Sequence, residues 1–184
     1  MPNISRHLTV NNMIKKIFRC IYNCIRFVGY PCYRNLLAVT VSTIIEKSPK
    51  ATLKIGKGFR TRRHVEINVR DHAQLCIEEN VFLNSGCILT ARERISIGKH
   101  TIFGPNVLIY DHDHQIENGN ILENSFVTEA VSIGKNVWIG AGSVILKGSV
   151  IEDDCIIAAG SIVKGHIPAG SIYVQKREKT VLSL

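Results

Sequence analysis

The chain is short of carboxylates where it is richest in cations. Between Met1 and Arg63 there are 13 lysines and arginines and one acid, Glu46. Aromatic residues are scarce, at 7% of 184 residues, and Trp138 is the only tryptophan. No nucleic-acid recognition motif accompanies the basic segment, and few aromatics interleave with it, so a nucleic-acid-binding module is disfavoured. Long hydrophobic runs are missing too. The longest uncharged stretch near the start, Asn35 to Ile45, is too short to span a bilayer. Residues 1–12 are polar, and the apolar residues from Met13 onward are broken by Lys15, Lys16, Arg19 and Arg26, which argues against a secretory signal. None of the six cysteines forms a C-x-x-C pair, so a structural zinc site is not expected. The expected compartment is the cytoplasm, with the inner face of the membrane as the alternative.

What the chain has is a period. Stepping by six from Ile133 gives Ile139, Ile145, Ile151, Ile157 and Val163, all aliphatic and β-branched. The same phase recurs upstream as Ile97, Phe103 and Ile109, as Ile77, Leu83 and Leu89, and more weakly as Ile55, Thr61 and Ile67. Four residues past the aliphatic sit small or medium side chains, including Val137, Ser143, Ser149, Cys155 and Ser161. A hexad is long enough for one short strand and a turn, and three hexads close a triangular coil. Strands of successive coils then pair at about 4.8 Å, and each coil's inward residues are covered only by its neighbours. A β-sandwich is the competing all-β reading, but it does not explain six consecutive matches in one phase.

Grouping by threes gives about five coils, opening at Ile55, Ile77, Ile97, Ile133 and Ile151. The expected organisation is an all-β parallel β-helix over residues 51–170, preceded by a basic N-terminal segment (1–50) and followed by a tail (171–184). Cys155 and Cys87 fall at inward positions, and buried free thiols suit a reducing compartment. In the N-terminal segment Ile14, Ile17, Phe18, Ile21, Ile25 and Phe27 recur at helical spacing. Such a helix either caps the open end of the solenoid or rests on an anionic membrane surface.

The period breaks once. From Ile109 to Ile133 there are 24 residues where an unbroken run needs 6, so a loop is inserted at about 110–129. A long loop on a regular core is where function is expected. This one opens with Tyr110-Asp111-His112-Asp113-His114. Two imidazoles and two carboxylates in five residues suit a general base, a metal site or a solvated loop, and the local pattern does not choose among them.

A wider pattern does. Ile97-Gly98, Phe103-Gly104-Pro105-Asn106-Val107, the His-rich run and Val131-Ser132-Ile133-Gly134-Lys135-Asn136-Val137-Trp138-Ile139-Gly140-Ala141-Gly142-Ser143-Val144-Ile145 together resemble the hexapeptide-repeat acyltransferases. The branch it resembles holds the maltose, galactoside and capsular-polysaccharide O-acetyltransferases, and the resemblance covers roughly residues 53–181. It implies a left-handed β-helix, a homotrimer with active sites between subunits, acetyl-CoA as co-substrate, and a sugar or glycan hydroxyl as acceptor. It also implies a catalytic histidine eight residues after the asparagine of the Pro-Asn pair, which is His114. His112, Asp111 and Tyr110 would lie near the acceptor. Asn84 matches an acceptor-contacting asparagine, although a turn asparagine is the plainer reading. Trp138, Ala141, Ala159, Lys164 and Lys179 match the positions expected along CoA, where small residues let the pantetheine arm approach the backbone. No metal is expected.

Two stretches depart from that family's pattern. A Thr-Lys-Asp-Ile-Pro turn is replaced by Lys164-Gly165-His166-Ile167-Pro168, and a Gly-Asn-Pro-Ala-Lys tail by Gln175-Lys176-Arg177-Glu178-Lys179. Three alternatives stand beside the sugar O-acetyltransferase. One is a gamma-carbonic-anhydrase-like metalloenzyme using His100, His112 and His114, though a His-x-His pair is not that family's spacing. Another is an acetyltransferase for a non-sugar acceptor such as an antibiotic. The third is a non-catalytic solenoid. A serine acetyltransferase is disfavoured, because only about 50 residues precede the first expected coil.

Overall fold

The computed structural model describes residues 4–30, 32–36 and 38–175. After helix α1 (Ile4–Phe27) and the short α2 (Tyr33–Leu36) the chain winds in coils of three strands. The first coil is β1 (Ile44–Lys47), β2 (Thr52–Ile55) and β3 (Arg60–Thr61). The second is β4 (Glu66–Val69), β5 (Gln74–Ile77) and β6 (Phe82–Leu83), and the third β7 (Ile88–Ala91), β8 (Arg94–Ile97) and β9 (Ile102–Phe103). β10 (Leu108–Tyr110) opens the fourth. Then an antiparallel hairpin, β11 (His112–Glu117) and β12 (Asn120–Thr128), leaves the solenoid before β13 (Val131–Ile133) and β14 (Trp138–Ile139) complete that coil. β15 (Val144–Ile145), β16 (Val150–Ile151) and β17 (Ile156–Ile157) form the fifth; β18 (Ile162–Val163), β19 (His166–Ile167) and β20 (Ile172–Tyr173) form the last.

First, second and third strands of the coils stack into three parallel faces, here A, B and C, each six strands deep. The five expected coil openings form one column on face B: Ile55 pairs with Ile77, Ile77 with Ile97, Ile97 with Ile133 and Ile133 with Ile151. Ile167 adds the sixth rung. The other hexad residues stack on face A as Ile45, Ile67, Leu89, Ile109, Ile145 and Val163. On face C they stack as Thr61, Leu83, Phe103, Ile139, Ile157 and Tyr173. All but Tyr173 are buried, and each buried aliphatic is worth about 1.5–3 kcal/mol against exposure.

The first strand of the solenoid lies upstream of the boundary expected at residue 51, and the last lies beyond residue 170. The early coils hide this. Their A and B strands are four residues long and their repeat is 22 residues, from Ile45 to Ile67 to Leu89, against 18 from Ile145 to Val163. The longer repeat breaks the six-residue phase. The inserted segment, expected as a loop, is a hairpin. Its turn is Asn118–Gly119, with φ of 49° and 79°, the left-handed pair a tight two-residue hairpin needs.

Corners carry the geometric strain of the fold. Asparagine, histidine or aspartate occupies left-handed corner positions at His64, His72, Asn80, His100, Asn106, Asn136 and Asp154, residue types enriched there. Glycine is required for a second reason. A Cβ on Gly98 would lie 2.5 Å from the Gly134 carbonyl carbon and 2.6 Å from the Lys135 nitrogen of the next coil. Carboxylates tie other corners. Asp153 accepts the Lys135 backbone N–H at 2.8 Å and pairs with its ammonium at 3.1 Å, and these bonds hold its carboxyl below the ordinary range.

Two outcomes follow. Gly98→Ala forces the rung apart and should cost about 1–3 kcal/mol in denaturant unfolding, although Gly98 has an ordinary φ. Asp153→Asn should lower the melting temperature at neutral pH. A carboxylate with a lowered folded-state pKa stabilises above its unfolded pKa and loses that contribution as pH falls through the folded value. The difference between variant and parent should therefore shrink on acidification below the usual carboxylate range; a difference independent of pH would contradict it.

Candidate active site

Coil four normally would turn from face A to face B after Tyr110. It departs instead as the β11–β12 hairpin, and this exposes a defect in the coil below. At each A-to-B corner, backbone N–H groups point to carbonyls one coil further on, as Arg70 N–H does to Ala91 and Gln74 N–H to Glu93. The N–H groups of Arg92 and Glu93 have no such coil above them. The Asp111 carboxylate fills the gap. Its Oδ1 accepts Arg92 N–H at 2.8 Å, and its Oδ2 accepts Arg92 at 3.1 Å and Glu93 at 2.8 Å. Asp111 is fully buried, and its own carbonyl accepts the Glu129 N–H, closing the base of the hairpin.

Oδ1 of the same carboxylate also holds His112 Nδ1 at 3.1 Å. A carboxylate in that position favours the Nδ1–H tautomer and leaves Nε2 as the basic nitrogen. The His112 side chain is 13% exposed, with the Tyr110 ring edge-on at 5.9 Å and the Phe126 ring at 5.4 Å. His114, two residues along β11, is exposed. Its Nδ1 lies 3.2 Å from the Leu122 carbonyl oxygen, which can only accept, so its neutral ring must carry the proton there and present Nε2. The pairing of β11 with β12 shifts between His114 and Gln115, and such an irregularity re-aims the side chain beside it. The Phe126 ring lies against His114, with centroids 4.7 Å apart and planes tilted by 43°.

Arg92 is a member of this cluster that sequence reasoning missed. Its guanidinium lies 3.3 Å from the centroid of Phe126, the ring touching both histidines. Burial pushes its pKa down, Arg70 adds to that shift, and the Asp111 charge opposes it. Its buried Nε has no hydrogen-bond partner among the described residues. No periodic or motif signal marks Arg92; only the hairpin folding back over the preceding corner brings it in. Lys147 reaches Asp113 at 3.6 Å across the hairpin base.

The other expected residues divide by corner. Asn84, Ala141 and Ala159 all lie on the C-to-A corner. Ala141 and Ala159 are exposed, and the tight stack there is visible at Gly140, whose Cβ would meet Ala159 nitrogen at 2.5 Å. The Asn84 Oδ1 accepts the Ser85 N–H at 2.9 Å. Trp138 is 55% exposed on the outer side of face C, in register with Ile102 and Ile156. Lys164 lies on the A-to-B corner of the last coil, away from the two alanines. Lys179 lies outside the described residues. Asp111, expected among the acceptor contacts, is enclosed, with both oxygens engaged by backbone N–H groups and His112. His100 is a B-to-C corner residue and does not join His112 and His114. Among the described residues no group of three or more His, Cys, Asp or Glu is arranged to hold a metal ion.

Within one chain, then, the histidines and the small-residue ridge lie at opposite ends of face A. Residues 130–165 match the family model for bacterial transferase hexapeptide repeats. The putative lipopolysaccharide biosynthesis O-acetyl transferase WbbJ of Escherichia coli K12 is 25% identical over 164 residues, 84% of this chain and 76% of that one. The galactoside O-acetyltransferase of Lactococcus lactis is 34% identical over 88 residues, 48% of this chain and 42% of that protein. The crystal structure of a maltose O-acetyltransferase from Clostridium difficile 630 superposes with a TM-score of 0.50 at 26% identity, covering 86% of this chain and 81% of that one. The chain thus spans three quarters of WbbJ but less than half of the galactoside enzyme. Residues 130–165 thus carry the hexapeptide repeat of bacterial transferases, and the chain is similar to sugar O-acetyltransferases in sequence and fold.

Asp111→Ala tests the hairpin anchor. It leaves the Arg92 and Glu93 N–H groups buried without an acceptor and frees His112, and should cost about 2–4 kcal/mol of unfolding free energy. A loss below about 0.5 kcal/mol would mean that water replaces the carboxylate.

Proposed function

We propose that the protein transfers an acetyl group from acetyl-CoA to a hydroxyl of a sugar or glycan, with His114 as general base. The observation that carries the choice of residue is the accessible His114 ring, whose Nδ1–H is committed to the Leu122 carbonyl and whose Nε2 is left free. His112 has the stronger support from behind but is enclosed by Tyr110 and Phe126, which suits positioning of His114 and the acceptor.

In the proposed reaction His114 Nε2 takes the acceptor's hydroxyl proton as that oxygen attacks the thioester carbonyl. The C–O bond forms, the tetrahedral intermediate collapses, the C–S bond breaks, and the proton passes to the departing sulfur. The products are the O-acetyl sugar and free CoA. The pantetheine arm is proposed to run along Ala141 and Ala159, whose small exposed side chains leave the backbone approachable, with Trp138 beside it. Lys164 and Lys179 are the proposed cations for the CoA phosphates.

The separation of the two half-sites supports assembly. The histidine hairpin leaves one end of face A and the ridge bearing Asn84, Ala141 and Ala159 lies at the other, so a complete site is proposed to form between subunits of a homotrimer. The exposed apolar positions Ile102, Trp138 and Ile172 on face C are surface that such packing would cover. Peripheral contact with an anionic membrane is a separate proposal, resting on helix α1.

Free-thiol release from acetyl-CoA, measured across a panel of mono-, oligo- and polysaccharides, tests the activity. His114→Ala should lower kcat by about 10²–10⁴-fold while leaving the melting temperature near that of the parent. His112→Ala should lose less. Abolition of turnover by His112→Ala with His114→Ala active would reassign the base to the Asp111–His112 pair. No thiol release with any acceptor, together with no CoA binding, would support a non-catalytic solenoid.

A further inference from the structure

Helix α1 is amphipathic in the wrong sense for a helix that packs only on the rest of its own chain. Asn23 and Phe27, four residues apart, face inward: Asn23 donates to the Val39 carbonyl at 2.9 Å and Phe27 is buried. Arg26, on the same side, donates to the Val41 carbonyl at 3.1 Å. The opposite side carries Ile14, Ile17, Phe18, Ile21, Ile25 and Val28. Phe18 is 69% exposed and Ile25 75%. A surface helix normally turns this stripe toward the core; α1 turns it outward.

Beside the stripe, between α1 and the first coil, lies a cavity of about 990 Å³. Lys15, Lys16, Arg19 and Arg63 line it with the aromatics Phe18 and Tyr22, and no carboxylate does. The Nε of Arg19 is buried without a hydrogen-bond partner among the described residues, and the cavity lining concentrates positive charge.

We propose that this surface docks on an anionic phospholipid bilayer, with the outward stripe of α1 in the acyl boundary and the basic cavity receiving a lipid phosphate. Charge selects this occupant. Helix α1 carries Arg6, Lys15, Lys16, Arg19 and Arg26 and contains no acid, so packing α1 against a second copy brings like charges together, whereas an anionic surface neutralises them. The helix lies on the bilayer and does not cross it: no helix among the described residues is long and apolar enough to span one. The inference stands on binding alone and is independent of acetyl transfer. With the acetyl transfer proposed above, it favours an acceptor glycan held at the membrane.

Co-sedimentation of the full chain with vesicles tests it, reading binding without turnover. Phosphatidylcholine vesicles containing phosphatidylglycerol should bind the protein at low salt and release it at high salt, and phosphatidylcholine alone should bind little. Ile21→Glu/Ile25→Glu, altering fully outward positions, should abolish binding with an unchanged melt. Arg19→Gln/Arg63→Gln should weaken it about tenfold or more, since each cation at an anionic surface is worth about fivefold. Equal binding to both vesicle types, or binding unaffected by both double variants, would overturn the proposal. So would glycerol phosphate binding in the cavity without vesicle binding, which identifies a soluble phosphate ligand. An oligomer that dissociates in Ile21→Glu/Ile25→Glu, again without vesicle binding, would make the stripe a contact between copies.

Discussion

Everything in this molecule answers to one distance, the rise between stacked strands of successive coils, near 4.8 Å. At that spacing an inward side chain touches its equivalents above and below, and only a uniform column packs. That is why aliphatics run in unbroken ladders on face B and face A. The same spacing presses one corner against the next. Where the backbones come within reach of a missing Cβ, as at Gly98, Gly104 and Gly140, the chain has glycine. Where the corner must pass through a left-handed conformation, it has asparagine, histidine, aspartate or glycine. Several of the seven histidines are therefore explained by corner geometry, and chemistry has to be sought elsewhere.

It is found where the stack is interrupted. A coil that leaves its neighbour uncovered strands backbone donors, and a buried unmet N–H costs about 1–3 kcal/mol. Asp111 meets the donors of Arg92 and Glu93 with one carboxylate and retains capacity to hold His112. The repair of the solenoid and the orientation of the site are thus one interaction. A neutral amide of similar shape would satisfy fewer donors and would not favour the same imidazole tautomer. The hairpin then carries His114 out to where a solute reaches it, with Leu122 fixing its tautomer from the second strand.

The columns were legible in the sequence because stacking imposes a strict period, and the break in that period located the histidine cluster. Legibility failed where another constraint replaced the period. The four-residue strands of the early coils lengthen the repeat, so β1 was not seen. The Asn118–Gly119 dipeptide, flanked by Gln115-Ile116-Glu117 and Asn120-Ile121-Leu122, was a hairpin signal masked by the expectation of a loop. Arg92 and the enclosure of Asp111 depend on the hairpin's return over a corner some 19 residues earlier, and no local pattern encodes that contact. Lys164 falls on a different corner from Ala141 and Ala159 once the coils are wound, a separation that the turn's sequence does not encode.

The two surfaces that a single chain leaves unfinished differ in kind. On face C the exposed apolar residues Ile102, Trp138 and Ile172 sit in one outward column with Ile156, on regular strands. A flat regular surface suits another copy of itself, in keeping with the proposed assembly of the site across face A. On α1 the apolar stripe is curved, flanked by cations and free of acids. Self-association there would be opposed by charge, so the proposed assembly has no electrostatic means of covering the helix. If parallel copies present their helices at one end of the solenoid, the cationic stripes would share a side. Several weak contacts with one anionic surface then reinforce one another, because after the first contact the others act at high effective concentration. Subunit assembly and surface docking are on this view successive consequences of one geometry: the solenoid faces supply the copies, and the reversed helix supplies the side they present.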